Sequence, residues 1–288
     1  MTIGSTSLRG IPRVLYRRLR TLRDAREERR FQTRIRTDSR APELVLSPHW
    51  DDAVLDCWSL LAGAGELHIV NLFAGVPAPG RLAPWDAITG ARDSAVRARE
   101  RIAEDILALD RAGRRPLSLP FLDAQYRRAR GAPDLEELDR ALGAVVASAS
   151  RVHVPAGLGG HPDHLLARRY GRMLLRAGMP VTLYAELPYC VLHGWPDWVD
   201  GAEPDPHRNV DEFWGPFVEG VPELPALRSA HVERLGDRAA AAKLEAMRCY
   251  ATQFPCLDFG AGRLLSDPEI HRFEVRWDLT IAGVARSA

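Results

Sequence analysis

Two short stretches of this 288-residue chain carry side chains that could do chemistry. In LVLSPHWDDAVLD, residues 44–56, an apolar run gives way to His49, Asp51 and Asp52 and resumes at Ala53, Val54 and Leu55. In AGLGGHPDHLLARR, residues 156–169, a glycine-rich bend leads into His161, Asp163 and His164. Imidazole and carboxylate are ligand types that zinc takes, and a catalytic zinc site keeps three protein ligands and leaves a position for water. Metal binding lowers the pKa of that water to about 7, and a nearby carboxylate can take its proton during attack on a carbonyl. Hydrolysis is the natural chemistry for such a set.

Each residue alone has a plainer reading. Asp51 or Asp52 can cap a following helix, since aspartate before an apolar run is an ordinary start signal. His49 can be a satisfied core histidine, and Asp163 a first-turn helix acid. Joint occurrence argues against all three at once, because the elements around the two clusters place them alike.

Strands are expected at 43–47, 67–73, 115–119, 151–155 and 180–185, with helices at 53–64, 91–111, 134–149 and 163–177 between them. That alternation predicts an α/β fold with a mainly parallel sheet and helices on its faces. Both clusters then occupy turns from a strand into a helix, and ligand sites in such sheets lie beyond the carboxyl ends of the strands. Residues 186–225, rich in Pro, Trp and Asp, read as an insertion near that edge; a helix at about 237–251 and a β segment at about 270–277 close the chain.

Composition narrows the classes. With 46% hydrophobic and 27% charged residues the chain matches a soluble globular protein. A formal net charge of +1 makes no case for nucleic acid. Within residues 1–40 twelve Arg stand against four acids, 12 − 4 = +8, and Leu8, Ile11, Leu15, Leu19 and Leu22 share a helical face, so a basic helix is expected over about 8–35. It could dock on the main domain, pair with a partner chain or lie on an anionic surface; Lys243 is the sole lysine, so the arginines reflect a compositional bias. The four cysteines lack CxxC spacing and read as buried reduced thiols. No apolar stretch is long enough to span a membrane and no signal-peptide core is evident, which gives a cytoplasmic expectation.

SPHWDDAVLD resembles the (A/S)PHxDD signature of the LmbE-like (PIG-L) N-deacetylase superfamily, and PAGLGGHPDHLLARR resembles its second signature. FLDAQYR (121–127), ELPY (186–189) and MRCYATQF (247–254) are similar to further segments of one branch, so the resemblance covers about residues 43–255. It implies a Rossmann-like domain over 41–288, with the basic extension at 1–40, and a zinc-dependent hydrolase of N-acyl groups on amino sugars or glycoconjugates; iron is an alternative metal. His49, Asp52 and His164 would ligate the metal. Asp51 would be the general base, His161 the protonated group that stabilises the oxyanion, and Asp163 the residue that orients a histidine or the base. One carboxylate on the metal and one left as base also preserves the Lewis acidity that two bound carboxylates would reduce.

Two positions depart from the commonest first motif, HPDDE: Trp50 replaces Pro and Ala53 replaces Glu. Trp50 either lines the substrate pocket or packs under the turn. Arg97, Asp123 and Tyr126 are further candidates for substrate contact, and the aromatics of the insertion form either a sugar platform or a local core. The implied partner is a small N-acylated molecule, a sugar first, with no nucleic acid, no membrane insertion and a homo-oligomer allowed. A thiol-conjugate amidase and a non-catalytic, metal-stabilised binding protein are the competing readings.

Overall fold

A computed structural model describes residues 40–127, 131–204, 206–218 and 220–281. The apolar run Leu44-Val45-Leu46 becomes β1 (Glu43–Ser47), all three residues being fully buried, as a strand covered on both faces requires. Six more strands complete one sheet: β2 (Leu67–Asn71), β3 (Leu117–Ser118), β4 (Arg151–Pro155), β5 (Val181–Tyr184), β6 (His231–Arg234) and β7 (Phe273–Asp278). Their order is β3-β2-β1-β4-β5-β7-β6. The first five run parallel; β7 lies antiparallel to β5, and β6 antiparallel to β7.

The register positions the two polar turns. Glu43 pairs with both Leu67 and Arg151, so β1, β2 and β4 start level. The chain therefore leaves Ser47 and Pro155 at the same sheet edge, side by side. Strand order reverses at β1, with β2 on one flank and β4 on the other, and a crevice opens where the helices of successive crossovers part to opposite faces. Accordingly the Asp52–Asp56 and Ser94–Asp110 helices both pack on the Asp237–Met247 helix, whereas the Leu135–Ala147 helix packs on Pro162–Arg176.

Local signals account for most helix boundaries. Asp93 starts the Ser94–Asp110 helix by accepting from Ala95 N and Val96 N at 2.8 and 3.0 Å. A capping box of Asp134 and Glu137 starts Leu135–Ala147.

Several expectations need correction. The helix expected over 53–64 breaks at Cys57 into Asp52–Asp56 and Trp58–Leu61, because the Glu274 carboxylate, arriving from β7, accepts from Trp58 N and Ser59 N at 2.7 and 3.0 Å and caps a new start. The strand expected at 115–119 is only Leu117–Ser118, both exposed. β6 and the helices Pro84–Ile88 and Phe254–Gly260 were not foreseen. Of the four free cysteines, Cys57 and Cys190 are buried, but Cys249 and Cys256 are half-buried. The basic helix expected over 8–35 lies outside the described residues. Among the described residues, no helix is long and apolar enough to cross a membrane.

Within 186–225 the aromatics resolve into two groups. Trp214 meets Trp195, Trp198 and Trp277 edge-on with ring centroids at 6.3, 5.6 and 5.8 Å, which is a local core. Tyr189 instead turns toward the strand ends.

Candidate active site

The first turn is held by its own side chains. Ser47 Oγ donates to His49 O at 2.6 Å and accepts from Ala53 N at 3.0 Å, which caps the helix. Asp51, at the cap position, makes no capping bond with its side chain. Asp52 accepts from His49 N at 2.7 Å. Neither aspartate caps the helix with its side chain: Asp51 makes no capping bond and Asp52 holds the turn at His49 N.

The second turn depends on glycine. Gly157 and Gly160 take φ of +78° and +67°, where a side chain would be strained. At Gly159 a Cβ would collide with the Tyr189 ring. This tight bend delivers His161 as the helix N-cap, its Nδ1 accepting from Asp163 N at 3.3 Å, with Pro162 in the first turn. Asp163 and His164 follow, both buried.

The two turns meet. His49 Nδ1 lies 3.3 Å from His164 Nε2 and 3.4 Å from an Asp52 oxygen, and His164 Nε2 lies 3.5 Å from the other Asp52 oxygen. Four-coordinate zinc with ligand bonds of about 2.0–2.2 Å spaces its ligand atoms about 3.3–3.5 Å apart. The far ring nitrogens are occupied: His49 Nε2 faces Asp163 Oδ2 at 3.2 Å, and His164 Nδ1 faces Glu186 Oε1 at 3.1 Å. Each ring so held by a carboxylate keeps its proton on that side and turns a lone pair inward. Two imidazoles and a carboxylate brought together in this way are a donor set that fits a divalent metal.

His161 completes a triad of histidines, each offering a nitrogen within 4.8 Å of the others. A second, overlapping group of His49, Asp123, His161 and Asp163 satisfies the same distance. There, however, Asp163 is already engaged by Ala124 N at 2.9 Å, by Arg127 Nη2 and by His49.

Electrostatics separate the roles. Burial opposes charge on His49, yet Asp123, Asp163 and Asp52 outweigh it and hold the imidazole pKa well above its ordinary value. This spot attracts positive charge. Burial and then the Asp52 charge push Asp51 up to about 6, whereas His164 and His49 hold Asp52 below the usual carboxylate range against the effect of burial. Adjacent carboxylates with pKa values driven apart are suited to different tasks. Burial, then His49 and His164, push the pKa of His161 down to about 4. With Nδ1 accepting from Asp163 N, the neutral ring carries its proton on Nε2.

These groups open on a cavity of about 280 Å³ lined by His49, Asp51, Asp52, His161 and His164, and walled by Trp50, Trp85, Leu187, Tyr189 and Leu257. Trp50 both lines it and packs on Ala74 and Ala98, so its two sequence readings are compatible. Asp123 also lines the cavity, 4.0 Å from His49 Nε2. Arg97 and Tyr126 are placed elsewhere. Arg97 bonds Thr89 O at 2.9 Å and pairs with Glu100 at 3.2 Å, and Tyr126 donates to Asp86 at 2.9 Å. The arginine on the cavity wall is Arg101, one turn further along the helix and paired with Asp86 at 2.9 Å.

Sequence reasoning also missed Glu186, Arg127 and Gln253. They sit in ELPY, FLDAQYR and MRCYATQF, segments that carry the family resemblance, and Gln253 lines the cavity.

Comparison with known proteins points the same way. No family model matches the chain. Over 176 residues, 56% of this chain, it is 34% identical to a 2'-N-acetylparomamine deacetylase of Streptomyces fradiae, and the match spans 61% of that relative's length. A deacetylase triple mutant from the teicoplanin biosynthetic pathway superposes with a TM-score of 0.64 at 25% identity, covering 85% of this chain and all of the other. An antimicrobial-reagent pseudoaglycone deacetylase superposes with a TM-score of 0.57 at 27% identity, covering 83% of this chain and 97% of the other.

Proposed function

We infer that this chain is a member of the LmbE-like (PIG-L) N-deacetylase superfamily and a zinc-dependent hydrolase that removes an N-acetyl group from an amino sugar or a glycoside bearing one. One observation carries the reading: His49 Nδ1 and His164 Nε2 lie 3.3 Å apart, 3.4 and 3.5 Å from different oxygens of Asp52, on the wall of a cavity that also exposes Asp51 and His161. These three residues would hold the metal. When bound, the ion supplies Lewis acidity, polarising the acetyl carbonyl and lowering the pKa of a water to about 7.

The remaining steps belong to the chain. Asp51, its pKa raised to about 6 by burial and by Asp52, is ionised at neutral pH yet basic enough to take the proton of the attacking water. As the water oxygen bonds to the carbonyl carbon, negative charge grows on the carbonyl oxygen. The Nε2–H of neutral His161 donates to it, an interaction worth about 3–4 kcal/mol per donor in comparable sites. Breaking the C–N bond returns the proton from Asp51 to the departing nitrogen, giving acetate and a free amine. Asp163, tied to Ala124 N and Arg127, keeps the His49 ring turned.

The sugar reading draws on the named relative, a 2'-N-acetylparomamine deacetylase, and on a cavity of about 280 Å³ beside the acid and histidine groups. The test is acetate release from N-acetylated amino sugars and their glycosides by the purified chain. Release that stops on chelation and returns with zinc supports the reading. No release from any N-acyl substrate by the zinc-loaded protein overturns it.

A further inference from the structure

We propose that Glu186 is a positioning residue that fixes how His164 presents Nε2 to the site; the proposal rests on the metal reading above. Glu186 is fully buried. Its Oε1 accepts from Gly157 N at 2.6 Å and lies 3.1 Å from His164 Nδ1, while Oε2 lies 3.3 Å from Leu158 N. One carboxylate thus joins the backbone of the glycine bend to the ring that the bend delivers.

The sheet explains how a residue so far along the chain reaches this ring. β5 pairs with β4 in the register Pro155↔Tyr184, so Glu186 leaves β5 level with Gly157 leaving β4. The segment is anchored on its other side, where Leu187 N donates to Asp56 Oδ1 at 2.8 Å. Gly157 keeps φ at +78°, and a Cβ there would run into Leu165, so the bend has little room to move.

The chemistry follows from the two imidazole nitrogens. A carboxylate facing Nδ1 requires the proton there and leaves the Nε2 lone pair for the point shared with His49 and Asp52. Asp163 plays the same part for His49 from the opposite side. The outer nitrogen of each ring is therefore held by a buried acid reached from a different element. A residue that merely satisfied the bend would need only Gly157 N and Leu158 N; the shared oxygen is what ties Glu186 to the metal-facing ring.

Zinc affinity is measured on the full chain by competition with a chromophoric chelator, for wild type, Glu186→Gln and Glu186→Asp. Thermal unfolding without metal and proton–nitrogen correlation spectra of the histidine rings in the zinc-loaded protein accompany it. Glu186→Gln is expected to bind zinc about 10–100-fold more weakly and to lose the hydrogen-bonded Nδ1–H signal of His164, while keeping a cooperative metal-free transition. Glu186→Asp, charged but shorter, should fall between. Wild type that binds zinc while both variants bind it equally well overturns the role of Glu186 alone, as does a wild-type His164 carrying its proton on Nε2. Wild type that takes up no zinc overturns the metal reading and the proposal with it. If Glu186→Gln does not fold, the same criteria apply to Glu186→Asp.

Discussion

Two clusters of buried charge in this molecule are built on opposite terms. Around Glu274 every group answers another: the carboxylate accepts from Lys243 Nζ at 2.8 Å, from Trp58 N and Ser59 N, and from Ser59 Oγ at 2.6 Å. Burial opposes its charge, but Lys243 and the Ser59 donors hold it below the ordinary carboxylate range. At the strand ends, His49, Asp52 and His164 turn acceptors toward one another, and Asp51 is left with its pKa raised by burial and by its neighbour. The first arrangement is closed and holds helices to the sheet. The second gathers imidazoles and carboxylates at the mouth of a cavity, and that is what makes it a site.

Breaking each cluster should therefore damage different properties. Replacing Asp51 by Asn is expected to lower kcat/KM for acetate release about 10²–10⁴-fold while zinc content and the unfolding midpoint stay at wild-type values. Loss of bound zinc in this variant would show that Asp51 belongs to the ligand set instead. Lys243→Met should do the reverse. Stranding Glu274 without its cation is expected to reduce unfolding free energy by about 3–5 kcal/mol, read by denaturant titration, while the folded fraction keeps its turnover. A Lys243→Met protein of normal stability would mean that the two clusters are not as different as their geometry suggests.

Metal linkage sharpens the contrast further. A ligand at 100 times its Kd stabilises the state it binds by about 2.7 kcal/mol. Zinc at that excess should raise the stability of wild type and of Lys243→Met by that same increment, and that of His164→Ala much less. The smallest effect is that of pH on Glu274. Its pKa is depressed in the folded state, so its contribution is present above the unfolded value of 4.5 and is lost as pH falls through the folded value. Unfolding of the wild type should therefore become easier on acidification below about pH 4.5, and Glu274→Gln should show a shallower dependence.

The same contrast explains what could be read before any coordinates. His49, Asp51, Asp52, His161, Asp163 and His164 lie within two short motifs, and the short strands ahead of them, ELVLS and RVHVP, alternate with helices along the chain, so their common edge followed from local pattern. Partners that join through the sheet left no such trace. Glu186 reaches His164 only because β5 lies beside β4, and Glu274 splits a helix more than two hundred residues upstream. The edge strand His231–Arg234, half exposed and polar at both ends, carries no hydrophobic alternation to find. Arg97, expected from a family pattern on its helix, pairs with Glu100, and Arg101, four residues on, lines the cavity instead; the pattern alone does not say which arginine reaches it.

Anomalous diffraction at the zinc edge from crystals of the zinc-loaded protein tests the central claim most directly. The expected map has one strong peak bounded by His49 Nδ1, an Asp52 oxygen and His164 Nε2, with Asp51 and His161 beside it. A peak held instead by Asp123 and His161, or no peak between the two turns, would contradict it.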